Sequence, residues 1–296
     1  MAALLSLPAC AEETAAFLKI GVGARALGLG GAYTALSDEA SGLAWNPAGA
    51  AGLTKRELGV THAELFAGTR YDFIGFVQPS KFGSFGASAI HLSQAALQGR
   101  DEAGRTTGSF GASDSAVALS YAAWAPLELK VGGSLKFVQS AIGAVSAQTA
   151  ALDLGAQRTL GRLGPGMPAL GVAVQNLGPG MKYAGETSPL PLVVAVGAAY
   201  KLPMGLTFAA DYKQRPNLRT SEFCLGTEYA LLSGFALRGG YGTARALSNG
   251  SSGTAALGGM AAGLGFKAKN GYSLDYSITP FGELGSVQRF SLGARF

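Results

Sequence analysis

The chain has 296 residues, of which 48% are hydrophobic, only 14% are charged and 45 are glycine. The mean hydropathy of +0.25 is high for a soluble protein, yet no run of about 18 consecutive apolar residues occurs, which excludes a transmembrane helix. The net charge of +5 comes from basic residues that are dispersed along the sequence and not interleaved with aromatic ones, which argues against a nucleic-acid-binding surface.

The first eleven residues resemble the end of an export signal. Ala-Cys-Ala at residues 9–11 precedes Glu12 in the manner of a signal-peptidase site, and we predict residues 1–11 to be a signal-peptide remnant. The run LPAC also allows a lipoprotein acceptor in which Cys10 is acylated. Both interpretations predict export, and cleavage would leave Cys224 without a disulfide partner.

Residues 12–54 form a second region that lacks strand-like alternation. Its sequence FLKIGVGARALGLGGAYTALSDEASGLAWNPAGAAGL mixes glycine-rich turns with short alanine-rich pieces. The run GVGARALG invites a phosphate-binding interpretation, but that site needs a buried strand before the glycines and a crossover helix after them, and the sequence predicts neither. Glycines that permit close backbone packing are the simpler interpretation.

From residue 55 onward, short segments alternate apolar and polar residues with the period of a β-strand. YSLDYSIT, LTFAADYK and LELKVGGSLKF each place aliphatic or aromatic residues on one face and polar residues on the other. About fourteen such segments, each near the 9–11 residues that a tilted strand needs to cross a bilayer, predict an all-β fold: a transmembrane antiparallel up-and-down β-barrel over residues 55–296. The predicted strands are 57–65, 71–79, 82–92, 115–125, 127–138, 148–160, 168–176, 190–201, 205–213, 221–230, 234–243, 254–267, 271–279 and 287–296.

A soluble sandwich of two sheets would show the same alternation, so the composition of the polar face has to decide between the two folds. That face mixes small residues with charges of both signs, which suits a crowded, hydrated barrel interior. Tyrosines near strand ends, including Tyr71, suit the aromatic girdles at membrane interfaces. The lumen-facing polar residues are predicted to be Lys130, Lys136, Asp153, Asp211, Glu228, Arg238, Asp275 and Arg289.

The links between strands also favour a barrel. Every second link is mostly tight, such as the Asn270-Gly271 turn. The links that alternate with these, such as SQAALQGRDEAGRTTGSFGASD, are mostly longer. Short turns at one rim and long loops at the other are typical of outer-membrane barrels. Basic residues in the long links are expected to pair with lipopolysaccharide phosphates; they are Arg100, Arg105, Lys182, Arg215, Arg219 and Arg245.

No motif in the sequence predicts catalysis, a metal site or a cofactor. The two histidines, His62 and His91, belong to no metal-binding pattern, and no GxSxG or HExxH run occurs. The run His91-Leu92-Ser93 is interpreted as a local coincidence. We therefore expect a protein that is not an enzyme and has no cofactor, metal or nucleic-acid partner.

The stretch from Phe17 to Leu53 resembles the N-terminal signature of the PorV/PorQ family, which belongs with the FadL-like outer-membrane proteins. The resemblance implies location in the bacterial outer membrane and a fourteen-stranded barrel whose N-terminal segment folds inward as a hatch. It also implies that Phe296 is the terminal aromatic residue that the barrel-assembly machinery recognises. The residues of the implied hatch motif are Gly28, Gly30, Gly31 and the WNPAG core Trp45, Asn46, Pro47, Ala48 and Gly49.

The resemblance leaves three functions open. FadL-like relatives pass hydrophobic molecules such as fatty acids, with a hatch that closes the barrel and a wall opening for lateral release; the weakly alternating second and third strands, with Pro79, are the candidates for that opening. PorV-like relatives serve type IX secretion, where they hold or shuttle cargo, and a porin-like structural barrel without a dedicated ligand is the third possibility. The expected partners are outer-membrane lipid and lipopolysaccharide, the barrel-assembly machinery, and either a hydrophobic ligand or secretion-system components.

Overall fold

The computed structural model describes residues 13–183, 185–231, 234–244, 259–281 and 285–296. Within these ranges, fourteen antiparallel strands form a closed barrel, which confirms the predicted fold. The barrel closes where its first strand pairs with its last, with Val60 opposite Leu292. The predictions for residues 1–11 and for Arg245 lie outside the described residues.

Most strand bounds follow the predicted segments closely, although β3 and β4 run well beyond theirs and one added hairpin, β8–β9, lies outside the barrel wall. The strands are Glu57–Glu64 (β1), Thr69–Ser80 (β2), Gly83–Arg100 (β3), Thr106–Ala125 (β4), Leu129–Ile142 (β5), Val145–Thr159 (β6), Met167–Leu177 (β7), Met181–Tyr183 (β8), Glu186–Ser188 (β9), Val193–Lys201 (β10), Leu206–Arg215 (β11), Thr220–Ala230 (β12), Phe235–Gly242 (β13), Met260–Lys267 (β14), Tyr272–Pro280 (β15) and Ser286–Arg295 (β16).

Helical structure is confined to short pieces, most of them before β1. The helix α1 spans Ala24–Gly28. No helix in the described part of the chain is long and apolar enough to span a bilayer. The 3-10 turns are Ala16–Lys19, Ala40–Ala44, Pro47–Gly52, Phe66–Gly68 and Pro126–Glu128.

The two faces of the wall are reversed relative to a soluble protein. Outward-facing Leu119 and Leu135 are 67% and 63% exposed, whereas inward-facing Asp153 and Arg289 are only 1% and 2% exposed. A soluble sandwich would bury its leucines and expose its charges. The exposed apolar face therefore fits contact with lipid and a polar interior.

The upper end of the barrel, defined here as the end at which β1 finishes, differs from the prediction. Most of the predicted loop over residues 93–114 is paired strand, because β3 and β4 continue to Arg100 and from Thr106, and only residues 101–105 form the turn. The segment is polar and small on both faces, so its sequence lacks the alternation that would predict a strand. Beyond the wall it forms a two-stranded ribbon, the β3–β4 ribbon.

Two smaller predictions were wrong. Tyr71 does not belong to an interfacial girdle: it is fully buried inside the barrel, where its hydroxyl donates to the carbonyl oxygen of Ile20 at 3.0 Å. Leu127, predicted to open a strand, lies in the Pro126–Glu128 turn with a positive φ of 64°. The outward alternation of β5 begins only after that turn.

Candidate functional site

The N-terminal segment (residues 13–56) lies against the inner face of the wall, and glycines make room for it. In ten of the fourteen described barrel strands, an inward-facing glycine lies so close to this segment that an added Cβ would come within 3.2 Å of it. A larger residue at these positions would force the neighbouring chain to shift. The ten are Gly59, Gly75, Gly86, Gly132, Gly155, Gly171, Gly197, Gly226, Gly240 and Gly263.

A chain of ion pairs connects the N-terminal segment to the wall. Arg25 on α1 donates to Glu228 on β12 at 2.8 Å and also pairs with Asp38. Glu228 accepts from Arg238 on β13 at 2.7 Å, and Arg238 in turn pairs with Asp275 on β15 at 2.6 Å. Arg25 also lies 3.6 Å from Glu39, so two buried guanidinium groups are shared among four carboxylates along this series of contacts.

The electrostatics of this chain hold Asp38 in its ionised form. Burial alone would raise the pKa of its carboxyl group, but the positive charges of Arg25, Lys201 and Lys267 outweigh burial and hold the pKa well below the usual aspartate range. Asp38 therefore stays ionised at any physiological pH, and its pairing with Arg25 persists.

Asp211 on β11 holds the next stretch of the segment. One of its carboxylate oxygens accepts from the backbone N–H groups of Tyr33 and Thr34 at 3.0 and 2.9 Å and from the Thr34 hydroxyl at 2.6 Å. Gln157 on β6 donates to the Thr34 carbonyl oxygen at 2.8 Å and to the Ser37 hydroxyl at 2.6 Å. The chain from residue 33 to residue 37 is therefore held from two sides of the barrel.

The residues of the WNPAG core hold the N-terminal segment together and bind it to the wall. Trp45 Nε1 donates to the Val22 carbonyl oxygen at 2.9 Å, and Asn46 Nδ2 donates to carbonyl oxygens of both the segment and the wall. Asn46 Oδ1 also accepts from the Ala48 N–H and caps the turn that Pro47 begins. Gly49 packs directly on the Ser37 backbone, where no side chain fits.

The upper part of the segment (residues 13–22) is held in another way. Phe17 and Val22 pack in an apolar cluster with Tyr71, Phe73 and other wall residues. Besides the Tyr71 bond, its described hydrogen bonds to the rest of the barrel come from Thr14, which donates to carbonyl oxygens in the β7–β10 link. This part carries no ion pair to the wall among the described residues.

A cavity of about 280 Å³ lies between the N-terminal segment and the wall. Apolar side chains from the segment, among them Ile20, Leu43 and Trp45, line it together with Ile90 and Val193 of the wall. Charged side chains reach the same space, and four of them form two ion pairs, Lys136–Asp153 and Arg215–Glu222, both at 2.8 Å. The lining of the cavity is therefore mainly apolar, with charged side chains at a few positions.

Lys213 also lines the cavity, but its ammonium group is held by other groups than a carboxylate. Its Nζ donates to the Gly31 carbonyl oxygen at 2.6 Å, lies 3.6 Å from the Cys224 sulfur and sits 4.7 Å from the centre of the Trp45 ring. Within the described ranges, no carboxylate lies within ion-pairing distance of this ammonium, although Lys213 is 7% exposed. A buried ammonium held by a carbonyl and a ring face is suited to receive an anionic group from a ligand.

The wall shows no opening where the sequence placed one. β2 and β3 pair without interruption from Ser80–Gly83 to Thr69–Gln94, and Pro79 lies within this ladder near the lower turn. The interpretation of these strands as a lateral opening was therefore wrong. Their weak alternation comes from inward-facing apolar residues, such as Phe73 and Ile90, and outward-facing polar ones, such as His91, and not from a break in pairing.

An irregular pairing does adjoin the cavity, between β6 and β7. Leu152 pairs with Leu177, but the next pair is Leu154 with Val174, so β7 carries one extra residue at this point. Asn176, within the bulge, has a positive φ of 61°. The bulge bends β7 and leaves part of the ladder unpaired.

Polar side chains fill this bulge from the inside. Asp153 accepts from the Asn176 N–H at 2.7 Å, and Lys136 donates to the Asn176 side-chain oxygen at 2.7 Å. Gln175 donates to the Ala44 carbonyl oxygen of the N-terminal segment at 2.6 Å. The irregular wall, the cavity and the segment therefore meet at one place.

The predicted site residues occupy the interior. All eight predicted lumen residues face inward, and the eight residues of the implied hatch motif are buried or half-buried in the N-terminal segment. The sequence analysis missed Arg25, Gln157, Lys213 and Asn176. The two-residue alternation of its strand already predicts that Lys213 faces inward, so the sequence did carry a signal for this residue. The position of Asn176 depends on a bulge, which the alternation does not predict.

The structure also places two further predicted residues, and it contradicts the prediction for one of them, Arg215. Arg215 does not lie in a loop exposed to lipopolysaccharide, since it ends β11 and pairs with Glu222 at 2.8 Å inside the barrel. Phe296 follows β16, is 62% exposed, and exchanges two backbone hydrogen bonds with Arg56. These bonds extend the closure of the barrel by one residue.

Neither catalysis nor metal binding gains support. His91 contacts Ser115 on β4 at 2.9 Å, not Ser93, and both residues belong to a continuous ladder whose N–H groups are engaged, so none is left to stabilise an oxyanion there. Among the residues that the structure describes, no group of three or more metal-ligating side chains occurs.

We compared the sequence and the fold of the chain with those of known proteins. Residues 9–155 match the model of UPF0164, an uncharacterised protein family. No curated protein sequence matches the chain significantly. Solved structures with a similar fold include the CymD monoaromatic hydrocarbon channel (TM-score 0.66, 14% identity, 93% of this chain and 98% of that one covered).

Two further structures cover the chain to the same extent. The Ralstonia pickettii toluene transporter TbuX has a TM-score of 0.64 at 15% identity, and 93% of this chain and 98% of that one are covered. A Pseudomonas aeruginosa FadL homologue has a TM-score of 0.53 at 11% identity, with 93% and 98% covered. The N-terminal half of the chain thus matches UPF0164, and the chain as a whole has the barrel fold of the FadL-like hydrocarbon channels.

Proposed function

We propose that the protein is an outer-membrane barrel that passes hydrophobic small molecules, with the N-terminal segment acting as a hatch. The observation that carries the proposal is the mainly apolar cavity of about 280 Å³ enclosed between this segment and the wall of a barrel whose outer face is apolar. A ligand in that cavity touches both the hatch and the wall, so its binding can be coupled to movement of the hatch.

The cavity favours a small amphipathic ligand that carries a carboxylate, such as a fatty acid of modest length. Its volume lies near the lower limit of typical ligand pockets. Lys213 offers an ammonium for the carboxylate, and Trp45, Ile20 and Val193 offer apolar surface for the rest of the molecule. A neutral hydrocarbon would use only the apolar surface.

The β6–β7 bulge is the proposed route of lateral release. It adjoins the cavity, and its pairing is already interrupted, so opening it costs fewer backbone hydrogen bonds than opening a regular ladder. A disulfide between Leu152→Cys and Leu177→Cys would pin this site, and one between Phe76→Cys and Ala87→Cys on β2–β3 is the matched control. We expect the first disulfide alone to reduce ligand uptake.

A tether between hatch and wall tests the proposed function. In a Cys224→Ser background, Ala40→Cys and Gly59→Cys place their Cβ atoms about 3.2 Å apart, near the spacing of a disulfide. Cells whose protein carries the complete disulfide should take up labelled fatty acid poorly and recover on reduction, and this recovery separates the tether from any effect of the substitutions themselves. Full uptake by completely crosslinked protein would contradict hatch gating.

The β3–β4 ribbon favours a second candidate, a PorV-like role in type IX secretion or surface assembly. Phe110 on the ribbon is 39% exposed, and Ile142 and Val145 at the neighbouring β5–β6 turn are 54% and 52% exposed, so a cargo protein could dock on this apolar surface. Secretion partners would then replace a small-molecule ligand. If this role applies, a strain with the ribbon residues 97–110 shortened should lose surface cargo.

Outer-membrane lipid, lipopolysaccharide and the barrel-assembly machinery remain the proposed surroundings, with Phe296 as the assembly signal. A protein that is found in the outer membrane with a heat-shifted mobility, but supports neither uptake nor cargo display, would instead be a structural, porin-like barrel.

A further inference from the structure

The lower rim of the barrel, defined here as the end at which β1 begins, carries an excess of positive charge. Six basic side chains are exposed in its links or face outward beside them, whereas Glu128 is the single acidic residue placed in this way among the described residues. The six, called the lower-rim cations, are Lys55, Arg56, Lys81, Arg158, Arg162 and Lys269.

The lower-rim cations differ from the inward-facing cations at the same end. Inside the barrel, Arg295 pairs with Glu57 at 2.6 Å, and Lys201 lies 3.7 Å from Asp38. In the described part of the chain, none of the lower-rim cations lies within ion-pairing distance of a carboxylate. Their charge is therefore left for a group outside the chain to balance.

The exposed charges at the upper end have both signs. Glu64 on β1 lies opposite Arg70 on β2, and both face outward. Lys182 and Glu186 share the β8–β9 hairpin. The excess of positive charge thus belongs to the lower rim and not to the protein surface in general.

The apolar band of the outer wall begins at the lower rim. On β5, the outward-facing residues from Leu129 to Phe137 are apolar or glycine, and Gln139 follows them. A strand of that length, at about 3.3 Å per residue and tilted by about 40°, spans about 23 Å, which is close to the height of the apolar band in outer-membrane barrels. Leu129 lies opposite Arg158. Arg158 is therefore at the level where hydrocarbon meets the lipid headgroups.

Arg158 faces outward from β6 between two apolar neighbours, Leu129 on β5 and Leu170 on β7. Its Nε atom is buried and has no hydrogen-bond partner within the described ranges. A buried donor on a charged group is costly unless an acceptor reaches it. A phosphate at headgroup level supplies charged oxygens for a guanidinium, whose stem can lie along the apolar wall.

The link between β6 and β7, residues 160–166, lies on the same outer face. Tyr200 faces outward on β10, and its hydroxyl donates to the Leu163 carbonyl oxygen at 2.6 Å and accepts from the Gly166 N–H at 3.0 Å. These bonds hold the link against the outside of the wall. They place a second guanidinium, that of Arg162, on the side of the wall that faces lipid.

Large apolar side chains accompany the cations in two of the links. Leu163 follows Arg162 and is 66% exposed, and Phe82 follows Lys81 and is 82% exposed. A cation beside an exposed apolar side chain suits a lipid interface, where the apolar group enters the acyl region and the cation reaches the phosphate. An acidic soluble protein would use only the charges, so the combination favours lipid.

We infer that the lower rim binds anionic phospholipids, such as phosphatidylglycerol, with Arg158 and Arg162 as the principal site. The guanidinium groups donate to the phosphate, and an acyl chain lies along Leu129 and Leu170. In the proposed orientation the short links face the periplasm, where the leaflet of the outer membrane is phospholipid and not lipopolysaccharide. The inference rests on the proposed membrane location but not on transport.

Lipid retention by the purified full-length protein tests the site. Delipidated protein is offered equal amounts of phosphatidylglycerol and phosphatidylethanolamine, and the first retained lipid is identified by native mass spectrometry. We expect about five-fold preference for phosphatidylglycerol, the effect of one basic residue near an anionic headgroup. The preference should fall when salt is added during lipid loading.

Two matched variants separate the lower rim from the total charge of the protein. Arg158→Gln should lower the preference by about two-fold or more, whereas Arg70→Gln, the same change on the outer face at the upper end, should keep it. Equal retention of the two lipids by the parent would overturn the inference and leave an acidic protein as the occupant of the rim. Equal losses in the two variants would also overturn it. The assay measures lipid binding alone, so its failure is distinguishable from failure of the proposed transport.

Discussion

The two parts of the N-terminal segment are held in the barrel by different forces. Residues 23–53 are tied to the wall by charged hydrogen bonds, as between Arg25 and Glu228 or between Thr34 and Asp211. Residues 13–22 are held by apolar packing and by a few neutral hydrogen bonds, such as that from Tyr71. Because the upper part lacks these contacts to charged groups, the proposed function predicts that it moves for ligand entry at a lower free-energy cost than the lower part does for passage.

Removing an anchor of the lower part should have the largest effect. Asp211→Ala leaves the N–H groups of Tyr33 and Thr34 and the Thr34 hydroxyl without their acceptor, at about 1–3 kcal/mol for each buried group. We expect the lower part to detach and the barrel to conduct ions in planar bilayers. Asp101→Ala, in the exposed β3–β4 turn, is the control and should remain closed; a closed Asp211→Ala barrel would mean that other contacts suffice.

Changing the cavity cation should affect one class of ligand. Lys213→Met keeps the length and apolar character of the side chain but removes the ammonium that can pair with a carboxylate. We expect fatty-acid binding to weaken by about 10- to 100-fold, the range of one hydrogen bond to a charged group, and binding of the matching neutral alcohol to stay the same. Calorimetry on both ligands checks this, and equal losses for the two would contradict a carboxylate-specific role.

Crowding the contact between wall and lower part should have a moderate effect. A Cβ on Gly240 would overlap the backbone of Gly30, whereas a Cβ on neighbouring Gly239 would lie 3.8 Å from the Thr227 side chain, an ordinary contact. We expect Gly240→Ala to destabilise the protein by about 1–3 kcal/mol and Gly239→Ala to be neutral or slightly stabilising. Thermal unfolding of the pair in detergent measures the difference.

Mild acid should have the smallest effect. Because the pKa of Asp38 is lowered in the folded state, its contribution to stability is complete above the ordinary aspartate pKa of about 3.9 and is lost only as the pH falls through the lowered value. We expect the conductance to be as low at pH 5 as at pH 7. Opening of the parent at pH 5 would show that the Arg25–Asp38 pair, which is still ionised at that pH, is not sufficient to hold the lower part.

The sequence predicts the barrel well because each strand repeats its own two-residue pattern, and because a lipid-facing wall makes that pattern strong. It does not predict the β3–β4 ribbon, whose two faces both meet water, so that no alternation distinguishes them. It also cannot assign Arg25 to Glu228, because 203 residues separate them and only the closed barrel brings them together.

The glycines were also predicted only in part. Their number in the sequence indicates close packing, but only the structure shows what packs there: Gly132, Gly155 and Gly171, on three strands, contact the WNPAG core and the Thr34 backbone. The Asn176 bulge is the opposite case, because an inserted kink leaves no periodic signal. Local patterns therefore predict the wall, and long-range contacts determine the site.

The central claim is that residues 23–53 close an otherwise open barrel. Single-channel conductance of the intact protein beside a variant that lacks residues 17–53, both verified as folded by heat-modifiable mobility, tests it most directly. We predict that the intact protein is nearly silent and that the deletion variant conducts steadily. A silent, folded deletion variant, or an intact protein that conducts as well as the variant, would contradict the account.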